Sequence, residues 1–333
     1  MKCVKVSLKD AEKTRKKLVS LEILDNNYSV GRDENFVYFP VLKLAKGFNF
    51  ADRKLISRNK TFTFEELLKE KLSSLEISLM TKSFDVVGNI AIIEVDEKLI
   101  KKKKFIANCF LESNKNIKTV IHKIGGHVGK YRIQKYEFLA GKKTFETIYR
   151  ENGVVVKFDI SKTYFSPRSS NERLRIANLV KKNEDVLVMF SGIGIYSFVI
   201  SKHSRAREIY CVEMNSNSCK YAKESLKLNK LNNIKLFCGD VKKVVPKLKK
   251  KFDRIIMPLP ETSFEFLELG LNYLKKNGII HLYTFATEEE IKEKIKLIKT
   301  SCKCKILRIV KAGQRGPHIF RFCIDFKLQQ LCL

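Results

Sequence analysis

No stretch of the 333-residue chain reaches the roughly 18 consecutive apolar residues of a membrane span, and the amino-terminal MKCVKVSLKDAEKTRKK holds no apolar run of signal-peptide type. Those absences predict a soluble, cytoplasmic protein with no membrane partner. No heptad or exposed apolar stripe argues for an oligomer, so a monomer is expected. The nine cysteines include no C-x-x-C pair, and Cys302 and Cys304, the nearest neighbours, have no histidines placed to complete a zinc site. No metal is therefore expected. An odd cysteine count argues against a disulfide framework, and the thiols are expected to be reduced, mostly buried small hydrophobes. Acid is scarce as well: 36 Asp and Glu face 66 Lys and Arg, a net charge of +30. Such an excess predicts a polyanionic partner, nucleic acid or an anionic membrane. A lysine-rich proteome would also inflate the count, but the lack of compensating acid favours nucleic acid.

What is present is regular from about Asp185 onward. The apolar runs DVLVMF, EIYCVE, IKLFCG, FDRIIM and GIIHLYTF read as buried strands. Between them lie helical stretches at Ile195–His203, Asn215–Lys230, Lys242–Lys250 and Ser263–Lys275, and Glu288–Thr300 follows the last strand. This alternation predicts a doubly wound, mostly parallel α/β sheet. The chain then reads KILRIV, a loop and IFRFCIDFKL, too short a connection for a parallel crossover, so an antiparallel strand at the sheet edge is expected. Ligands of such sheets bind beyond the carboxyl ends of the strands.

The first strand leads into Phe190, Ser191, Gly192 and Gly194, a G-x-G turn without the third glycine of a dinucleotide fingerprint. Glu213 ends the second strand, about 20 residues on, where an acid commonly grips ribose hydroxyls. S-adenosylmethionine has no phosphate, and two glycines suffice for its methionine part to pass. Asp240, at the end of the third strand, could accept from an adenine amino group. Pro258, Leu259 and Pro260 end the fourth. An empty sheet would also place glycine at a tight turn and carboxylates at helix starts, but it would have to explain all four strand ends.

FSPRSSNERLRI (Phe165–Ile176), MFSGIG, CVEMN, GDV and MPLP together resemble the archaeal tRNA (guanine-N1)-methyltransferases, which modify the guanosine at tRNA position 37. The likeness extends to FDVVGNIAIIEV (Phe84–Val95), GGHVGKYRIQKYEFLAG (Gly125–Gly141) and ETIYRENGVVVKFDISKTYFSPR (Glu146–Arg168), and more weakly to the first 70 residues. The Y-F-S-P-R and N-E-R blocks are its specific part. The resemblance implies a Rossmann-like methyltransferase domain at 163–333 that takes S-adenosylmethionine. Before it would come small α+β domains: an elbow-touching tRNA-binding domain at 1–70 and a middle RNA-binding domain at 71–162. It also implies a cofactor site around Tyr164, Phe165, Arg168, Phe190, Gly192, Gly194, Glu213, Met214, Asp240, Val241 and Pro258, and substrate contacts from Arg132, Arg173, Pro258, Pro260 and His318.

Guanine N1 carries a proton at neutral pH, so a base must remove it, and a fixed cation should stabilise the charge that spreads onto O6. The resemblance gives these roles to Glu172 and Arg132. Alone, Glu172 could be an acid in the first turn of a helix capped by Ser170 or Asn171, and Arg132 one of many basic residues. Two positions depart from the family pattern. Pro258 stands where the guanine-N1 enzymes carry the Asn of N-L-P, leaving a carbonyl and no donor. Val188 stands where an Asp normally ends the first strand, so a polar handle at the cofactor site is expected to be lost. P-x-P resembles a bifunctional archaeal branch that also methylates C7 of the tricyclic wyosine precursor on the same nucleotide. Two rivals are an aminocarboxypropyl transferase of the same pathway, though Leu259-Pro260 is retained here, and a non-catalytic RNA-binding protein on a methyltransferase scaffold.

Basic runs at Lys101–Lys104, Lys115 to Lys123 and Lys142-Lys143, interleaved with Phe, Tyr and Ile, would contact phosphates. The target base must leave its stack to reach a pocket. Gly125, Gly126 and Gly129 precede Arg132, in either a loop that closes on RNA or a plain hairpin loop.

Overall fold

The computed structural model describes residues 1–57, 62–80 and 84–331. The chain divides into two units, Met1–Leu72 and Ser73–Leu333. In the first, strands β1 (Lys2–Ser7), β2 (Gly31–Arg32), β3 (Phe36–Pro40) and β4 (Phe50–Asp52) form an antiparallel sheet in the order β2-β3-β1-β4. Helix α1 (Ala11–Ser20) adds Leu18 to a core of Val4, Ile23, Val37 and Phe39. Helix α2 (Phe64–Leu68) is set by a capping box, Thr63 and Glu66 bonding each other's backbone N–H.

The second unit begins with α3 (Ser74–Ser78), then β5 (Asp85–Val87), β6 (Ile90–Ile93), α4 (Lys103–Ser113), β7 (Thr119–Val128) and β8 (Ile133–Gly141); the four strands form one sheet in that order. Gly125 and Gly126 lie inside β7, not in a loop. The β7–β8 pairing slips between Ile124 and His127, and the Gln134 amide donates to the carbonyls of Ile124 and Gly125 there, at 2.8 and 3.0 Å. The segment is a bulged hairpin arm whose turn returns through Gly129 to Arg132.

A second hairpin, β9 (Glu146–Glu151) and β10 (Val154–Asp159), leaves the outer side of β10 unpaired by any strand among the described residues. Side chains of α7 (Ser216–Asn229) take up its backbone groups instead. Asn229 bonds both the N–H and C=O of Val155, at 2.8 and 2.6 Å, and Ser225 accepts from Lys157 N–H at 3.0 Å. Val154, Val156 and Phe158 enter the same apolar cluster as Val188, Phe198 and Ile209, so one core runs from this hairpin into the large sheet.

That sheet contains β11 (Asp185–Met189), β12 (Glu208–Glu213), β13 (Ile234–Cys238), β14 (Phe252–Met257), β15 (Leu274–Ala286), β16 (Cys302–Gly316) and β17 (Ile319–Leu331) in the order β13-β12-β11-β14-β15-β17-β16. The first five pair in parallel, with α5 (Ser170–Leu179) before them and α6 (Ile195–His203), α7, α8 (Val241–Lys247) and α9 (Leu267–Asn272) between them. Helix α10 (Glu290–Ser301) follows β15. The terminal pair differs from a single antiparallel edge strand. β17 inserts beside β15, and β16 forms the rim. Burial explains the order: Phe322 to Phe326 and Leu328 are buried, whereas β16 is mostly exposed and carries Lys303, Lys305, Arg308 and Lys311.

Three further expectations change. The helix expected to reach Lys275 stops at Asn272, because Leu274 already pairs with Phe252, and the strand re-registers past Asn277 at φ 64°. Helix α5 has Ser169 at its N-cap with no side-chain cap bond, not Ser170 or Asn171. Cys219 and Cys238 form a disulfide between α7 and the end of β13, Cα atoms 5.9 Å apart, so not all thiols are reduced. Of the other described cysteines, Cys3, Cys109, Cys211, Cys302 and Cys323 are buried and Cys304 is half-buried; Cys332 lies outside the described residues. No helix among the described residues is long and apolar enough to cross a membrane.

Candidate active site

The loop after β11 is shaped by three left-handed residues: Phe190 (φ 57°), Gly192 (φ 56°) and Gly194 (φ 83°). Phe190 holds this uncommon conformation with its ring edge-on to Phe266, centroids 4.8 Å apart. A Cβ on Gly194 would meet Phe198 at 2.8 Å, whereas one on Gly192 would meet nothing nearer than the Tyr164 carbonyl at 3.9 Å. The first glycine therefore leaves open space above the loop, and the second lets α6 start. Where a third glycine would stand, Ser197 is fully buried, and its hydroxyl pairs with the Cys211 thiol.

Glu213 closes the loop from the neighbouring strand. Its carboxylate accepts from Gly192 N–H and Asn215 N–H, both at 2.7 Å. Burial raises its pKa, opposed by these backbone donors and by Met214 N–H. Asp240 caps α8, accepting from Lys242 N–H at 2.8 Å, and Val241 is buried behind it. Open approach over Gly192, an acceptor pair at Glu213 and a second acid one strand further fit the diol and amino group of S-adenosylmethionine. Val188 is fully buried in the core cluster beneath the loop. Val188 is not among the residues of the cleft wall and offers no polar group beneath it.

The cleft at these strand ends is lined by Tyr164, Phe165, Phe190, Gly192, Arg173, Pro258 and Pro260 among the residues expected from sequence, together with Ser166, Ser169, Ser191, Tyr196, Tyr283 and Arg321. The other expected residues stand outside its wall. Arg168 points elsewhere and forms a two-point pair with Asp85 at 2.9 and 3.1 Å. His318 occupies the turn between β16 and β17 at φ 59°. Arg173 is on the wall but already engaged, donating twice to buried Glu151 at 2.5 Å and also to the Ser166 carbonyl.

Arg132 enters β8 at φ 53°, lies 5.0 Å from the Tyr164 ring centroid and shares Glu261 with Arg315, each at 3.2 Å. Its buried Nε–H has no partner among the described residues. Glu172 is buried in the first turn of α5. Arg175 donates to both its oxygens at 2.7 and 2.8 Å, and the Tyr283 hydroxyl donates to Oε1 at 2.5 Å. Arg175 continues to Asp325 at 2.7 Å, Asp325 to His281 at 2.6 Å, and His281 to Arg254 at 2.7 Å; Arg254 ends on Glu184. Burial lowers the His281 pKa, so the neutral ring donates from Nδ1 to Asp325 and accepts from Arg254 at Nε2. His281, Cys323 and Asp325 lie close enough to hold a metal ion, but both ring nitrogens of His281 are already spent.

Sequence reasoning missed Tyr283, Tyr196, Arg321 and the chain behind Glu172. A signal existed. His281 and Tyr283 alternate inside GIIHLYTF, Arg254 interrupts FDRIIM and Asp325 interrupts IFRFCIDFKL, and a polar residue in a buried strand needs a partner. The register supplies it, setting His281 opposite Asp325 and Tyr283 opposite Cys323.

Residues 147–310 match the TRM5/TYW2 methyltransferase domain, 64–144 the TYW2 N-terminal domain and 3–49 the tRNA methyltransferase 5 N-terminal domain. The chain is 36% identical over 335 residues to tRNA (guanine(37)-N(1))-methyltransferase Trm5b of Pyrococcus abyssi, covering 98% of each. It is 33% identical to tRNA (guanine(37)-N(1))/4-demethylwyosine(37)-methyltransferase Taw22 of Nanoarchaeum equitans, over 65% of this chain and 88% of that one. A solved complex of aTrm5 with tRNALeu superposes with a TM-score of 0.79 at 29% identity, covering 98% of this chain and 99% of the other. With a doubly wound sheet, a G-x-G loop that has no third glycine and an acid at the second strand end, the chain belongs to the Trm5/TYW2 family of S-adenosylmethionine-dependent methyltransferases.

Proposed function

We propose that this chain methylates N1 of the guanosine at tRNA position 37, with Glu172 as the base and Arg132 as the cation facing O6. The observation that carries the reading is the chemistry gathered at one aromatic cleft. Tyr283 on its wall is bonded to buried Glu172, and Arg132 beside Tyr164 keeps an unmet N–H donor. S-adenosylmethionine supplies an electrophilic methyl group when bound. Gly192 leaves it room, Glu213 receives its ribose hydroxyls, and Tyr164, Phe165, Phe190 and Pro258 exclude water. Glu172 draws off the N1 proton as the methyl arrives. Arg132 then meets charge on O6 with a group already fixed in place, so no reorganisation is needed at that moment.

Arg173, Pro260 and His318 serve the tRNA side of the site, and Met214, Asp240 and Val241 complete the cofactor side. Residues 1–70 contact the tRNA elbow, and residues 71–162 contact the RNA nearer the target base. The enzyme works as a monomer in the cytoplasm, where its tRNA is. A charge of +30 makes tRNA affinity fall steeply with salt.

A second reading, C7 methylation of the wyosine precursor, is favoured by one feature. Both prolines of Pro258-Leu259-Pro260 stand on the cleft wall, and neither has an N–H to fix a guanine edge. The Nanoarchaeum equitans relative is named for both activities. Mass spectrometry of position 37 after incubation with unmodified and with tricyclic-modified tRNA tests both. A methyl on the unmodified guanosine is the expected outcome. A larger group on the tricyclic base would assign the aminocarboxypropyl reaction, and failure to bind S-adenosylmethionine would leave an RNA-binding protein.

A further inference from the structure

Glu172 is not on the cleft wall; Tyr283 is. Tyr283, only 1% exposed, ties that wall to the carboxylate, its O–H donating to Glu172 Oε1 at 2.5 Å. A carboxylate offers about four lone-pair sites. Arg175 takes two and Tyr283 a third, so Glu172 has little left to offer a nucleobase directly. We propose that Tyr283 is a further catalytic residue, passing the N1 proton to Glu172 by giving up its own. This inference rests on the N1-methylation reading.

The step balances. The N1–H bond breaks and its proton forms a new O–H bond on the Tyr283 oxygen. The phenol's original O–H bond breaks and that proton joins Glu172 Oε1. The N1 electron pair forms the N–CH3 bond as the S–CH3 bond breaks and its pair stays on sulfur. Glu172 ends protonated and returns the proton through the same phenol once product leaves. Burial beside Glu172 and Cys323 keeps the Tyr283 phenol well above its ordinary pKa, so it enters as a neutral donor. It never has to exist as a free phenolate, because it receives one proton while losing the other.

The strand holds the relay in place. Tyr283 sits opposite Cys323 in the β15–β17 register, and two residues earlier on the same face His281 sits opposite Asp325. Asp325 shares Arg175 with Glu172. The base is thus clamped from behind and open only towards the phenol.

The test is single-turnover methylation of guanosine 37 at saturating tRNA and S-adenosylmethionine, by the full-length protein, Tyr283→Phe, Glu172→Gln and the double variant. A relay predicts that each single change slows N1 methylation by about 10²–10⁴, and that the double variant is no slower than the worse single. It also predicts a bowed proton inventory for the parent protein in H₂O/D₂O mixtures, because two protons are in flight. Tyr283→Phe within tenfold of the parent, with Glu172→Gln still slow and a linear inventory, would overturn the relay and leave Glu172 as a direct base. A parent protein that makes no N1-methylguanosine would instead remove the underlying reading and the relay with it. Melting curves and S-adenosylmethionine titrations check that Tyr283→Phe is folded; if it is not, the parent's inventory decides.

Discussion

Replacing Glu151 by alanine would strand a charge. Arg173 and Glu151 side chains are each only 3% exposed and joined by two bonds of 2.5 Å. Without the carboxylate, Arg173 keeps the Ser166 carbonyl at 3.2–3.3 Å and the faces of Phe165 and Tyr196 at 5.5 and 5.9 Å. None of these carries a negative charge. Breaking one side of a buried ion pair costs about 3–5 kcal/mol, against a total stability of about 5–15 kcal/mol. In a unit of this size each kcal/mol lowers the melting temperature by about 2–4 °C, so a fall of roughly 6–20 °C is expected. Differential scanning calorimetry with urea titration measures it. The control is the double change Glu151→Met with Arg173→Met. Both charges then leave together, and stability should return to within about 1–2 kcal/mol of the parent. A Glu151→Ala loss below about 1 kcal/mol, or a double variant no better than the single, would refute the premise that this cation depends on its partner. The pair joins the end of β9 to α5, so its loss should also loosen the wall that holds Phe165.

Glu213→Ala removes the acceptor pair offered to ribose hydroxyls, and each charged hydrogen bond lost is worth about 1.5–3 kcal/mol. Calorimetry should find S-adenosylmethionine bound at least tenfold more weakly. Arg132→Ala should slow the N1-methyl transfer step by about 10²–10³, as loss of an oxyanion donor does, and leave cofactor affinity unchanged in the same titration. The pKa of His281 is depressed in the folded protein, so below about pH 6.5 the unfolded chain takes a proton that the native state refuses. Asp325, whose pKa is also depressed, adds a loss once the pH falls below about 4. Stability should therefore decline on acidification in two stages, and His281→Gln should flatten the first in urea titrations at stepped pH.

The parallel strands were legible because each is a short apolar run bounded by turn residues, and α6 falls on the expected residues, Ile195–His203. The glycine turn and Glu213 could be placed because strand-end position follows from strand length. Much less legible was anything that depends on which strand lies beside which. The insertion of β17 between β15 and β16 sets His281 opposite Asp325. Nothing local in IIHLYTF tells where its partner comes from. The disulfide joins residues 19 apart whose proximity depends on α7 folding back onto β13.

An open sheet has two rims, and each leaves a row of N–H and C=O groups unsatisfied by any strand. At one rim β13 is five residues long, too short to template much pairing. At the other, β16 is 15 residues long, and its register slips four times against β17. Between the slips stand Lys303, Lys305, Arg308 and Lys311. Two copies meeting rim to rim would set these cations within a strand spacing of about 4.8 Å of one another, and the ladder would be broken by the slips. The cation excess thus has a colloidal consequence apart from any partner. It opposes the pairing of copies through this 15-residue edge, and that opposition weakens wherever a polyanion or high salt screens the charge.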